Sequence, residues 1–143
     1  MNSVLDALDL IAAVHQGNID KVKLMADRDA NNYNIAMHHA GLAGNMDIVE
    51  LMLSKGANNY NTVIVDAAFM GNFSICKLML SKGANCYNTC MEFAAVNGHT
   101  EIVQLMLEHG ADNYDLAIET ATPGKHENVI ELIKIYKEGK IKL

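Results

Sequence analysis

The side chains able to do chemistry are few. There are three cysteines, Cys76, Cys86 and Cys90, and six histidines. Zinc would need a second ligand pair at signature spacing, and Cys86 and Cys90, four apart, have none beside them. His38 and His39 are adjacent, so on a helix they point in different directions and make no two-histidine site. No glycine-rich phosphate loop is present, and no nucleophile stands in a catalytic signature. No catalytic residue, cofactor or metal is assigned, and an enzyme is not expected. An odd cysteine count without framework spacing fits free thiols in a reducing compartment.

The formal net charge is −6, which argues against a generic nucleic-acid binder and, more weakly, against anionic membranes. Only the last stretch is basic, with Lys134, Lys137, Lys140 and Lys142 against Glu138. This reads as a solvated terminal helix whose cations suit the helix C-terminus. The start, MNSVLDALDL, has neither a basic run nor a long apolar one. No signal peptide or transmembrane helix is expected, and the location expected is the cytoplasm.

The elements that carry these residues repeat. Tyr33, Tyr60, Tyr87 and Tyr114 recur at a spacing of 27, as do Gly17, Gly44, Gly71 and Gly98. Ala13, Ala40, Ala67, Ala94 and Ala121 keep the same spacing, with Leu24, Leu51, Leu78, Leu105 and Leu132. Five units follow, at about residues 1–29, 30–56, 57–83, 84–110 and 111–143, within one repeat domain.

Each unit reads as two helices. In the third, Asn61 is expected to cap a helix over Thr62–Met70 ended by Gly71, and Asn72 a second over Phe73–Lys82 ended by Gly83. Small pairs (Ala40 and Gly41, Ala67 and Ala68, Ala94 and Ala95) let another helix approach closely. Leu10, Met37, Ile64, Met91 and Ile118 supply one apolar anchor per first helix. The second helix is apolar over most of its girth, as in Ile48, Val49, Leu51, Met52 and Leu53. Leu78 is expected in the core, where truncation to alanine costs about 2–5 kcal/mol. The end units read as polar caps, with Lys21 and Asp29 in the first and Lys125, Lys134 and Lys137 in the last.

The phrase AAVNGHTEIVQLMLEHGADNY, from Ala94 to Tyr114, resembles the ankyrin signature. Paired alanines, a Gly-His turn, an I-V-x-L-x-L helix and a Gly-Ala-Asp loop carry the resemblance. It implies an all-α fold, an α-solenoid of five ankyrin-like helix–turn–helix repeats. Ankyrin units usually run to about 33 residues, so the β-hairpin fingers are expected to be absent or stunted. The short, asparagine-rich GANNYN units are similar to ankyrin arrays encoded by giant DNA viruses of amoebae, which implies a viral origin and the host-cell cytoplasm.

In ankyrins the residues after the paired alanines face a concave groove. Here these are His15, Gln16, Leu42, Ala43, Phe69, Met70, Val96 and Asn97, with His39, Asp66 and Phe93 flanking them. They vary between units while core positions repeat. The resemblance implies a non-enzymatic module that binds a partner protein through this face, with no nucleic-acid or membrane partner. Alternatives are an adaptor delivering a host protein to a ubiquitin or signalling pathway, or a structural, virion-associated repeat protein. No residue pattern demands self-association, so a monomer is favoured. The Asn-Tyr-Asn loops are read as structural, their polar groups satisfying loop and helix-end amides.

Overall fold

Residues 3–139 are described by the computed structural model, and among them the chain is helical throughout, with no strand. The helices pair as α1 (Ser3–His15) with α2 (Ile19–Ala26), α3 (Asn31–Ala43) with α4 (Met46–Ser54), and α5 (Tyr60–Met70) with α6 (Phe73–Ser81). The remaining pairs are α7 (Tyr87–Val96) with α8 (Thr100–Glu108), and α9 (Tyr114–Ala121) with α10 (Glu127–Lys137). The first helices α1, α3, α5, α7 and α9 pack successively side by side, and α4, α6, α8 and α10 form a second layer against them. Short turns join the pairs where β-hairpin fingers would stand.

Sequence periodicity becomes packing in a simple way. Ala13, Ala40, Ala67, Ala94 and Ala121 are all fully buried, and so are the anchors Leu10, Met37, Ile64 and Met91, while Ile118 is half-buried. Gly41 shows why small residues recur: a Cβ there would lie 2.9 Å from Val63 Cγ1 of the next unit. The second helices differ from expectation. Their buried centre is the column Met25, Met52, Met79, Met106 and Ile133, backed by Ile48, Ile75 and Ile102. The leucine column lies at the rim: Leu24 is 68% exposed, Leu51, Leu78 and Leu132 are half-buried, and only Leu105 is buried. Methionine's pliant thioether adapts to the gap between helix layers, and Ile133 fills the same place in the last unit.

Caps confirm the turn chemistry in part. Asn18, Asn45 and Asn72 accept hydrogen bonds from Lys21 N, Ile48 N and Ile75 N at 3.1–3.2 Å. In the fourth and fifth units His99 and His126 replace that asparagine and cap nothing. Their Nε2 atoms instead donate across the joint to Phe69 O at 3.0 Å and Val96 O at 3.1 Å. Gly71 serves both needs: its φ is +81°, and a Cβ would fall within 2.5 Å of the His99 ring. Lys125, at the equivalent place in the last unit, holds φ +56° without being glycine.

The first helices start earlier than the cap rule suggests. α5 begins at Tyr60, so Asn61 is inside the helix and is not its cap. It serves another partner. Asn61 Oδ1 accepts from Asn85 N at 2.8 Å while its Nδ2 donates to Asn85 Oδ1 at 3.0 Å. Asn34 clasps Asn58 in the same way, and Asn88 clasps Asp112. This two-bond clasp ties each of these first helices to the loop entering the next unit. Ala7 and Asp115 occupy the position in the end units, and Asp115 pairs with Lys137. Tyr33, Tyr60, Tyr87 and Tyr114 pack half-buried against the core.

Lys21, Asp29 and Lys134 are exposed, in keeping with polar ends. Lys134 and Lys137 lie in the last turn of α10, whereas Lys140 and Lys142 lie outside the described residues. No helix among the described residues is long and apolar enough to cross a membrane.

Met79→Ala should therefore cost about 2–5 kcal/mol in chemical denaturation, with Leu78→Ala costing clearly less. Equal losses would overturn the assignment of the methionine column as the centre. Asn61→Ala should cost about 1–2 kcal/mol through its two lost bonds, and a stability equal to wild type would remove the clasp from the account.

Candidate interaction face

The positions that vary between units lie on the first helices. The fold divides them into a polar half and an apolar half. At the polar end, His15 Nε2 and His39 Nδ1 stand 3.0 Å apart, with the rings edge to face. His38 stacks edge-on against His39 at 4.8 Å, and its Nδ1 pairs with Asp66 Oδ2. Three first helices thus contribute to one run of titratable groups. His38 is the member that sequence reasoning left out of the face. Its partner is a unit away, and only the equivalence of His39 and Asp66 at one repeat position hinted at it.

Burial, with the rings of His38 and His15 beside it, holds His39 below the ordinary imidazole value. Burial also pushes the Asp66 carboxyl up, against the pull of His38.

At the apolar end, Phe69 meets Phe93 edge to face, ring centroids 5.9 Å apart, across the joint between α5 and α7. Phe69 is 43% exposed, Met70 54%, Phe93 38% and Val96 39%, so four large apolar side chains from two adjacent units face solvent together. Leu42 is half-buried, and Ala43 and Gln16 are exposed without a role in either group. The Asn97 amide donates to Phe69 O at 2.8 Å and so braces the aromatic backbone. Glu92 adjoins Phe93 on α7, and Glu119 lies on α9.

Elsewhere, a cleft of about 330 Å³ between α6 and α8 is lined by Phe73, Glu101, Gln104, Leu105 and Glu108. Its two carboxylates have no nucleophile or base among the lining residues. No group of three or more histidine, cysteine or acidic side chains among the described residues is arranged to hold a metal ion.

The family model described as ankyrin repeats (3 copies) matches the chain over residues 10–90, 44–117 and 64–141. No curated protein matches it significantly.

The two shifted groups at the polar end act on stability with opposite signs. His39 is shifted downward by burial and its neighbouring rings, so its contribution is complete above the unfolded imidazole value and lost as pH falls through the lowered one. Asp66 contributes most below the ordinary carboxylate value and loses that contribution as pH rises through its raised one. The melting temperature should fall as pH drops below about 6.5, and His39→Gln should flatten that part of the profile. Superimposable profiles for the two proteins would show that His39 ionisation is not coupled to folding.

Proposed function

The chain belongs to the ankyrin-repeat family, whose members are generally protein–protein interaction modules, and from that premise we propose that it binds a partner protein through the exposed face of its first helices. The observation that carries this reading is the apolar group Phe69, Met70, Phe93 and Val96, displayed by two adjacent units on an otherwise regular scaffold. An aromatic pair beside a pliant methionine is a suitable anchor for a partner's apolar side chain. His15, Gln16, His39, Leu42, Ala43, Asp66 and Asn97 complete the proposed face. Asp66, Glu92 and Glu119 on these first helices favour a partner segment in which basic residues flank the apolar anchor.

The reading is of a binding module without catalysis, and no position on the face pairs a nucleophile with an activating base. Three free cysteines suit a reducing compartment such as the cytoplasm.

A quantitative pull-down from eukaryotic lysate tests this, run beside Phe69→Ala/Met70→Ala with its fold checked by circular dichroism. A protein enriched by wild type and lost with the double variant is the expected result. Retention of the same proteins by both would move the interface to the loops or to the second-helix layer. Enrichment by neither would favour a structural role.

A further inference from the structure

The joint between the third and fourth units contains two thiols that stacking does not require. Cys90, in the first turns of α7, is fully buried. Equivalent positions in the second, third and fifth units hold Ala36, Val63 and Ala117, and the first unit has the exposed Asp9, so packing between units asks only for a small apolar side chain. Cys86 immediately precedes α7, where other units place Asn32, Asn59 and Asn113. Asn32 and Asn59 use that position to donate to backbone carbonyls of the preceding unit, Met25 O at 3.1 Å and Asn34 O at 2.9 Å. Cys86 makes only a weak thiol contact with the matching carbonyl, Asn61 O, at 3.7 Å. The fourth unit therefore gives up a good hydrogen bond for a sulfur, and that sulfur lies 3.5 Å from Cys90 Sγ.

We propose that Cys86 and Cys90 form a thiol–disulfide site, in which Cys86 attacks a small glutathione-type disulfide and Cys90 resolves the adduct into an intrachain bond. The geometry divides the roles. Cys86 is the half-buried, reachable thiol, and Cys90 is buried behind it. Cys86 also stands at the N-terminus of α7, where the helix dipole favours a thiolate. The Cys90 thiol, donating to Cys86, lowers the pKa of Cys86, and the same bond together with burial raises that of Cys90. Cys76, the third thiol, is buried and pushed up to about 12 by burial, which leaves it inert.

The chemistry balances. The Cys86 thiolate forms a bond to one sulfur of the oxidant and expels the other as a thiolate. Cys90 sulfur then attacks Cys86 Sγ, the mixed disulfide breaks, and the second small thiol leaves. The proton of Cys90 passes to a departing thiolate. Two protein thiols are oxidised and one small disulfide is reduced to two small thiols. One helical turn separates the two Cα atoms by roughly 6 Å, within the span a disulfide tolerates.

The test treats the full chain with oxidised glutathione, then measures intact mass and maps the alkylated peptides. Wild type should lose two of its three thiols, retain no glutathione and yield a Cys86–Cys90 cross-link. Cys90→Ala should trap one glutathione on Cys86, and Cys86→Asn should take none. Both replacements are residues that other units carry at the same place, so the fold should persist, as melting curves would verify. The proposal fails if wild type keeps all its thiols, if it retains glutathione on Cys86 as the Cys90→Ala variant does, or if Cys76 reacts first. Should either variant not fold, the wild-type map decides alone.

Discussion

Helices of eight to thirteen residues gain too little from their own hydrogen bonds to persist in water, so each must be supported by its neighbours. That constraint explains most of what this chain contains. The invariant alanines from Ala13 to Ala121 exist because a larger side chain would push adjacent first helices apart. The methionines from Met25 to Met106 fill the space between layers once the backbones are that close. The clasps of Asn34, Asn61 and Asn88 satisfy amides of the short loops that join one unit to the next. Much of the variation between units falls at exposed first-helix positions, and those make the proposed face.

Much of this fold was legible because repetition separates signal from noise. Gly71 and Asn72 were readable as stop and start because local rules decide them. Asn61 was not, since the same rules make it a cap while its true partner, Asn85, lies in the next unit. The confusion of Leu78 with Met79 has a similar origin. Both recur in every second helix of the middle units, adjacent residues point about 100° apart, and only the placement of neighbouring helices decides which direction is inward. The proposed face rests on the positions that vary. Its division into a histidine–aspartate half and an aromatic half could not be read from them, because the His38–Asp66 and Phe69–Phe93 contacts each join residues of different units.

That division gives the face two kinds of surface on one rigid support. The aromatic half offers contact area with few rotatable bonds, at a joint held by the Asn61 clasp, the Asn97 amide and the His99 ring. The histidine half offers groups whose charge depends on pH and whose positions depend on one another. A partner spanning both would meet firm apolar contact at one end and adjustable polarity at the other.

The exchange of Asn72 for His99 and His126 alters how the stack comes apart. An asparagine that caps its own helix strengthens a unit, whereas a histidine that reaches back to Phe69 O or Val96 O strengthens the seam between units. The first seam, with Ala7 in place of a clasping asparagine, is tied by other pairs: His15 with His39, Asn32 with Met25 O, and Asp27 with Tyr33 and Lys55. In a one-dimensional array the weakest seam sets where melting begins. Loss of the His99 or His126 tie would then move that point toward the C-terminal half of the stack.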